Sequence, residues 1–193
     1  AAVPGDAREL SRFFKTGKGE YGYGDKFIGV RVPGIRAVAR EHVDLSPADL
    51  NDLLDSEFHE HRFAALAILV AQCRRAAPAD REWFYDFYLA VMRRGRINNW
   101  DLVDLGAPFV IGRFLFDKPR DELYALARSE DMWERRTAIV ATAYFIRQRD
   151  FDDTYAIAEL LMGDDEDLIH KAVGGWVREA GKHDRPRLLA WLD

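Results

Sequence analysis

A chain of 193 residues with 32% charged and 48% hydrophobic residues is long enough to bury a sizeable core and too polar to be membrane-embedded. Its longest apolar run, residues 63–71, is too short to span a bilayer, and no basic stretch followed by an apolar one opens the chain, so neither anchor nor secretory leader is expected. A net charge of −5 excludes a protein that grips nucleic acid with its whole surface, and the lone Cys73, inside AALAILVAQC, excludes a disulfide framework and points to a reducing compartment, the cytoplasm.

Residues 6–14 read as a short helix, followed by the loop KTGKGEYGYGDKF. The loop lacks the Gly-Lys-Ser/Thr spacing of a P-loop and no strand precedes it, so its glycines are not a nucleotide motif. Lys15, Lys18, Asp25 and Lys26 read as loop charges. The run 27–32 is strand-like but short and meets Pro33, which predicts an extended connection. Helical signals then take over. Pro33 opens a helix to residue 41. Ser46-Pro47-Ala48-Asp49 combines an N-cap serine, a first-turn proline and an acid at the third position. Residues 58–76 are apolar on nearly every side, which predicts an enclosed helix. Further helices are expected over 80–94, 99–116, 119–128, 131–148, 151–162 and 166–182.

These helices pair, and the pairs repeat. Aligning the second helix of each pair on an early polar residue gives Arg62, Asn99, Arg136 and Lys171, at intervals of 37, 37 and 35 residues. A helix-pair period of this size lies between those of TPR and HEAT units. The expected fold is therefore all-α, an α-solenoid or superhelix of HEAT-like helix pairs: a single domain over 1–193, with an N-terminal helix and Gly-rich loop over 1–32 and repeats over 33–193. Equivalent positions in such an array line one surface, which would gather the cations Arg62, Arg136 and Lys171 beside Asn99 and Trp100. The bases at Arg93, Arg94, Arg96, Arg135, Arg147, Arg149 and within 171–187 stand apart from the acids of 44–55 and 150–167, so one face can be basic despite the acidic total.

The segment NNWDLVD, residues 98–104, carries the densest chemistry. With Asn98 as N-cap, Asp101 falls at the third helical position and is accounted for as a capping acid. Asp104 is not. It lies one turn after Trp100 on the same face, and Pro108 deprives its carbonyl of a helical donor, which predicts a bend. Trp133 and Trp176 fall near the place of Trp100 in their own repeats and read as packing residues or as aromatic faces able to stack. Asp131 and Glu134 cap a helix with each other, leaving Arg136 for an anion such as phosphate. His59 and His61 are two apart, project to different sides of a helix, and read as structural; no metal site is expected.

GDKFIGVRVPGIR, HRFAALAIL, NNWDLVD with its proline, WERRTAIV and HKAVGGWVREAGK, in this order and spacing, resemble the DNA alkylation repair family, the AlkD-like glycosylases built on HEAT-like repeats. The resemblance implies excision of cationic N3- and N7-alkylated purines from double-stranded DNA by cleavage of the N-glycosidic bond, by a monomer without metal or cofactor. It assigns catalysis to Asp104, Trp100 and Arg136; DNA contact is expected of Arg62, Asn99 and Lys171 from their places in the repeat, and of Trp176, Arg178 and Lys182 along the last helix. Where the family has KAxGW this chain has KAVGGW, so Gly175 takes the tryptophan's place and Trp176 stands about 100° further round the helix. The family usually continues with another helix or two beyond the point matching Asp193, so either the ends are trimmed or that capping is missing. Two rival readings stand beside this one. One is a non-catalytic HEAT-repeat protein binding distorted or branched DNA. The other is a scaffold for a protein partner, which an acidic or apolar inner face would favour.

Overall fold

The computed structural model describes residues 4–193, so the first three residues of the expected N-terminal segment lie outside the described residues. Every regular element among the described residues is helical: α1 (Pro4–Ser11), α2 (Val32–Glu41), α3 (Pro47–Leu54), α4 (His59–Arg75), α5 (Arg81–Arg93), α6 (Trp100–Ala107), α7 (Arg113–Leu115), α8 (Asp121–Ala127), α9 (Met132–Arg147), α10 (Asp152–Leu161), α11 (Asp167–His183) and α12 (Arg185–Leu192). The all-α expectation holds. The chain divides into two compact units, Ala1–Gly106 and Ala107–Asp193, with the boundary inside α6.

In the first unit α4 is the central element, packed against α2, α3 and α5. Its sequence explains this position: Phe63, Leu66, Leu69, Val70 and Cys73 are buried, and apart from Arg74 and Arg75 at its end no residue of the helix is fully exposed. The helices around it start where local chemistry dictates. Ser46 accepts from the Asp49 N–H at 3.2 Å, and Asp49 accepts from the Ser46 N–H at 3.1 Å, a complete capping box for α3. Helix α4 has no side-chain cap. Its first N–H, that of His59, instead donates to the Lys26 carbonyl at 2.8 Å, while the Lys26 N–H donates to the Glu57 carbonyl at 3.1 Å. This isolated parallel bridge between Lys26 and Phe58 lies just before residues 27–32, which form no strand themselves. Gly29, at φ +92°, and Pro33 prevent a ladder from extending, so the run is the extended connection its sequence predicts.

In the second unit α9 is central, packed against α8, α10 and α11, and α11 in turn packs against α12. Asp131 caps α9, its carboxylate accepting from the N–H groups of Trp133 at 2.6 Å and Glu134 at 3.4 Å. The 99–116 helix expected from sequence is interrupted at Pro108. A π-helical turn, Pro108–Gly112, separates α6 from α7, and the Arg113 N–H donates back to the Pro108 carbonyl. A proline in a helix removes one i→i−4 donor; widening to i→i−5 is one way the backbone regains its bonds. The turn lies on α9. At Gly112 the approach is so close that a Cβ would collide with the Ala141 carbonyl and come within 3.0 Å of the Tyr144 Cβ.

Gly112→Ala should therefore overpack a backbone-to-backbone contact that cannot yield by rotamer change, at a cost of about 3 kcal/mol. In thermal unfolding this is a drop in Tm of roughly 5–10 °C. An unchanged Tm would mean that the turn and α9 separate easily.

Candidate functional site

Helix α6 begins one residue later than its sequence suggests. Asn99, not Asn98, is the N-cap: its carbonyl accepts from the Val103 N–H at 3.1 Å, and its side-chain oxygen accepts from the Trp100 N–H at 2.9 Å. Asp101 therefore sits at the second helical position, and the capping-box reading of its carboxylate is corrected. It accepts instead from Nε2 of His59, at 2.8 Å. Asn98 leaves the helix end altogether and its amide donates to Asp25 at 3.5 Å.

Behind this turn lies a buried charge cluster that the spacing rules did not reveal. The side chains of Asp25, His59 and Arg62 are 4%, 4% and 3% exposed. Arg62 meets Asp25 Oδ1 at 2.7 Å and donates to the Ser56 carbonyl at 3.1 Å. The other carboxylate oxygen of Asp25 faces His59 Nδ1 at 3.5 Å, so the imidazole stands between two acids, Asp25 and Asp101. Burial disfavours charge on His59, but its bonds to Asp101 and Asp25 outweigh that and lift its pKa from 6.5 to about 9. Burial also disfavours charge on Asp25, and there the bonds to His59 and Arg62 win, holding its pKa below the usual 3.8. Next to the cluster, Glu60 accepts from three successive loop N–H groups: Ile28 at 3.0 Å, Gly29 at 2.8 Å and Val30 at 3.3 Å. A carboxylate thus occupies the backbone nest that the positive φ of Gly29 creates.

Rings complete the support. Phe14 stacks on Trp100 at 5.7 Å and 22°, on Phe27 at 5.2 Å, and lies against His59 at 4.7 Å. Trp100 and Asp104, both half-buried, line a cavity of about 400 Å³ together with Phe13, Phe14, Val32, Phe63, Leu105, Asp101 and Arg36. The expected face-sharing of Trp100 and Asp104 is thereby realised. The lining sets an indole and two carboxylates against one guanidinium, that of Arg36, so it stays net acidic and suits positive charge, which the π face and the acids attract.

The other expected residues are placed less uniformly. Arg62, Asn99 and Arg136, aligned by the repeat, are 2%, 0% and 6% exposed. The periodicity located equivalent positions, but three of the four point inward. Arg136 donates to the Leu168 carbonyl at 2.6 Å, tying α9 to the start of α11. Trp133 is buried in the second unit. Lys171, Arg178 and Lys182 are exposed along one side of α11, Lys171 pairing with Asp167 and Lys182 with Glu179. Between them Gly174 and Gly175 face open space, and Trp176 is half-buried. Sequence reasoning missed His59, Asp25 and Phe14. A signal did exist: a histidine and an arginine one turn apart in an apolar helix must find anions, and Asp25 and Asp101 were at hand.

The family model described as "DNA alkylation repair enzyme" matches residues 1–193. No curated protein matches the chain by sequence. Among solved structures, one described as "Predicted DNA alkylation repair enzyme from Enterococcus faecalis" aligns at 17% identity with a TM-score of 0.70, covering 98% of this chain and 88% of that one. At that identity the likeness is one of fold.

The His59 cluster makes stability pH-dependent in a defined direction. A histidine whose folded pKa is raised from 6.5 to about 9 stabilises fully below pH 6.5 and loses that contribution as pH rises through 9. Urea midpoints across this window should fall, the lost term being on the order of 3 kcal/mol. His59→Gln should be less stable at neutral pH and lack this part of the slope. Parallel slopes for both proteins would show that His59 is not charged in the fold.

Proposed function

We propose a specific activity from the premise that the chain belongs to the DNA alkylation repair enzyme family: it is a DNA glycosylase that removes cationic, N3- or N7-alkylated purines from double-stranded DNA. The observation that carries this reading is that Trp100 and Asp104 line one cavity walled by phenylalanines. An N3- or N7-alkylated purine already bears positive charge and leaves readily. As the C1′–N bond breaks, its electron pair goes to the purine and neutralises it, while the sugar becomes oxocarbenium-like. What the reaction needs is negative charge beside the sugar and an oriented water, not a strong acid. In this mechanism the Asp104 carboxylate stabilises the sugar cation and orients the water, taking up its proton as the new C1′–O bond forms. Trp100 offers its π face to the same cation.

Arg136 was expected to clamp phosphate. Its buried bond to Leu168 suits a supporting role, holding the start of α11, whose exposed Lys171, Arg178 and Lys182 are the candidates for backbone phosphates. The second reading, recognition of distorted or branched duplex without catalysis, draws on α11, where the open Gly174–Gly175 surface stands in place of the family's tryptophan.

Release of methylated purine from methylated duplex separates the two readings. Asp104→Asn should bind the duplex within about threefold of wild type, yet release base about 100-fold more slowly, the loss of one transition-state interaction worth about 2.7 kcal/mol. Wild-type protein that binds the duplex but releases base no faster than the spontaneous rate would replace the enzyme reading with the recognition one.

A further inference from the structure

We propose that His59 is a positioning residue of this site: bridging Asp25 and Asp101 and packed on Phe14, it sets the orientation in which Trp100 and Asp104 meet the cavity. The catalytic consequence rests on the glycosylase reading; the positioning itself does not.

The geometry leads to this in three steps. First, His59 touches both supports of the α6 start. Its Nε2 holds Asp101 at 2.8 Å, the neighbour in sequence of Trp100, and its ring lies 4.7 Å from Phe14, which stacks on the Trp100 indole. Second, the other buried charges around it are already committed. The groups that face it are Asp25 from the loop, Asp101 from α6, and Arg62 and Glu60 from α4. Glu60 is occupied by the N–H groups of Ile28, Gly29 and Val30, and Arg62 pairs with Asp25. Two cations thus face two anions, and removing the proton from His59 leaves Asp25 with Arg62 while Asp101 loses the cation it holds. Third, Asp101 has somewhere to go. Its side chain is 13% exposed and lines the same cavity as Asp104, so an uncompensated Asp101 turns toward water there. That motion releases the first turn of α6 and adds the Asp101 charge to that of Asp104 in the cavity.

Burial opposes charge on His59, but the two carboxylates outweigh it and keep the imidazolium to about pH 9. The positioned state is therefore the one present at neutral pH.

The test incorporates 5-fluorotryptophan into the full chain, assigns the Trp100 fluorine signal with Trp100→Phe, and follows it from about pH 6 to pH 10 beside the His59 ring resonances. The Trp100 signal should move with the midpoint of His59, about 9, and should not do so in His59→Gln. A Trp100 signal that stays flat while His59 titrates overturns the proposal. Single-turnover base release supplies the catalytic arm. His59→Gln should slow release roughly 10-fold or more with duplex affinity within about threefold, because displacement of reacting groups costs rate before binding. The double variant His59→Gln/Asp101→Asn, which restores a neutral hydrogen-bonded pair, should recover most of that loss. Equal single-turnover rates for His59→Gln and wild type overturn the catalytic consequence. If wild type releases no base at all, the glycosylase reading falls, and the fluorine titration still decides whether His59 positions Trp100.

Discussion

The first unit depends on one buried imidazolium. His59 opens α4, yet its side chain serves the loop before it and the helix after α5, because Asp25 and Asp101 meet on its two ring nitrogens. Burying charge is costly, and it is tolerated here because every participant has an opposite charge or a backbone partner within reach. The consequence is rigidity where a functional site needs it. The Gly-rich loop has few apolar anchors of its own and is held by polar ones: Asp25 by Arg62 and His59, and the 28–30 backbone by Glu60. Conformational freedom that glycine would otherwise keep is removed by charge.

On that frame the cavity is assembled from short pieces. Phe13 and Phe14 come from just after α1, Val32 and Arg36 from α2, Phe63 from α4, and Trp100, Asp101, Asp104 and Leu105 from α6. Helix α6 supplies the indole and both acids, while the phenylalanine walls come from the other elements. This division lets Phe14 cover one side of Trp100 while Asp104 stays half-buried. A carboxylate placed in this way is set for charge stabilisation, since low dielectric magnifies its effect on a nearby cation.

The second unit follows a different rule. Its cations divide by burial: Arg136 spends its charge on the Leu168 carbonyl, and Arg135 meets Asp164 at 2.6 Å. Lys171, Arg178 and Lys182 stay in water. Of four consecutive acids, Asp164 to Asp167, the first is thus a buried partner of Arg135, and Asp167 pairs with Lys171 at the surface. Acids that stand consecutively in the sequence are, in the fold, split between core and surface.

Local and periodic features were legible in the sequence. The helix starts at Pro33 and Ser46, the enclosed character of α4, the capping role of Asp131 and the shared face of Trp100 and Asp104 each depend on neighbours within a few residues. The repeat carried the all-α fold class for the same reason, since helix pairing is a nearest-neighbour property. Tertiary structure alone decided the partners of buried charge. Asp25 and His59 are 34 residues apart, and His59 and Asp101 a further 42, so no spacing rule could join them. It also decided which aligned cations reach water, because a period fixes a residue's place along a repeat but burial depends on what packs against it. Asp101 shows the difference most plainly: the sequence offered it a cap one turn away, and the fold gave it a cation from another helix, because a buried imidazolium needs a carboxylate more than a helix end already capped by Asn99 does.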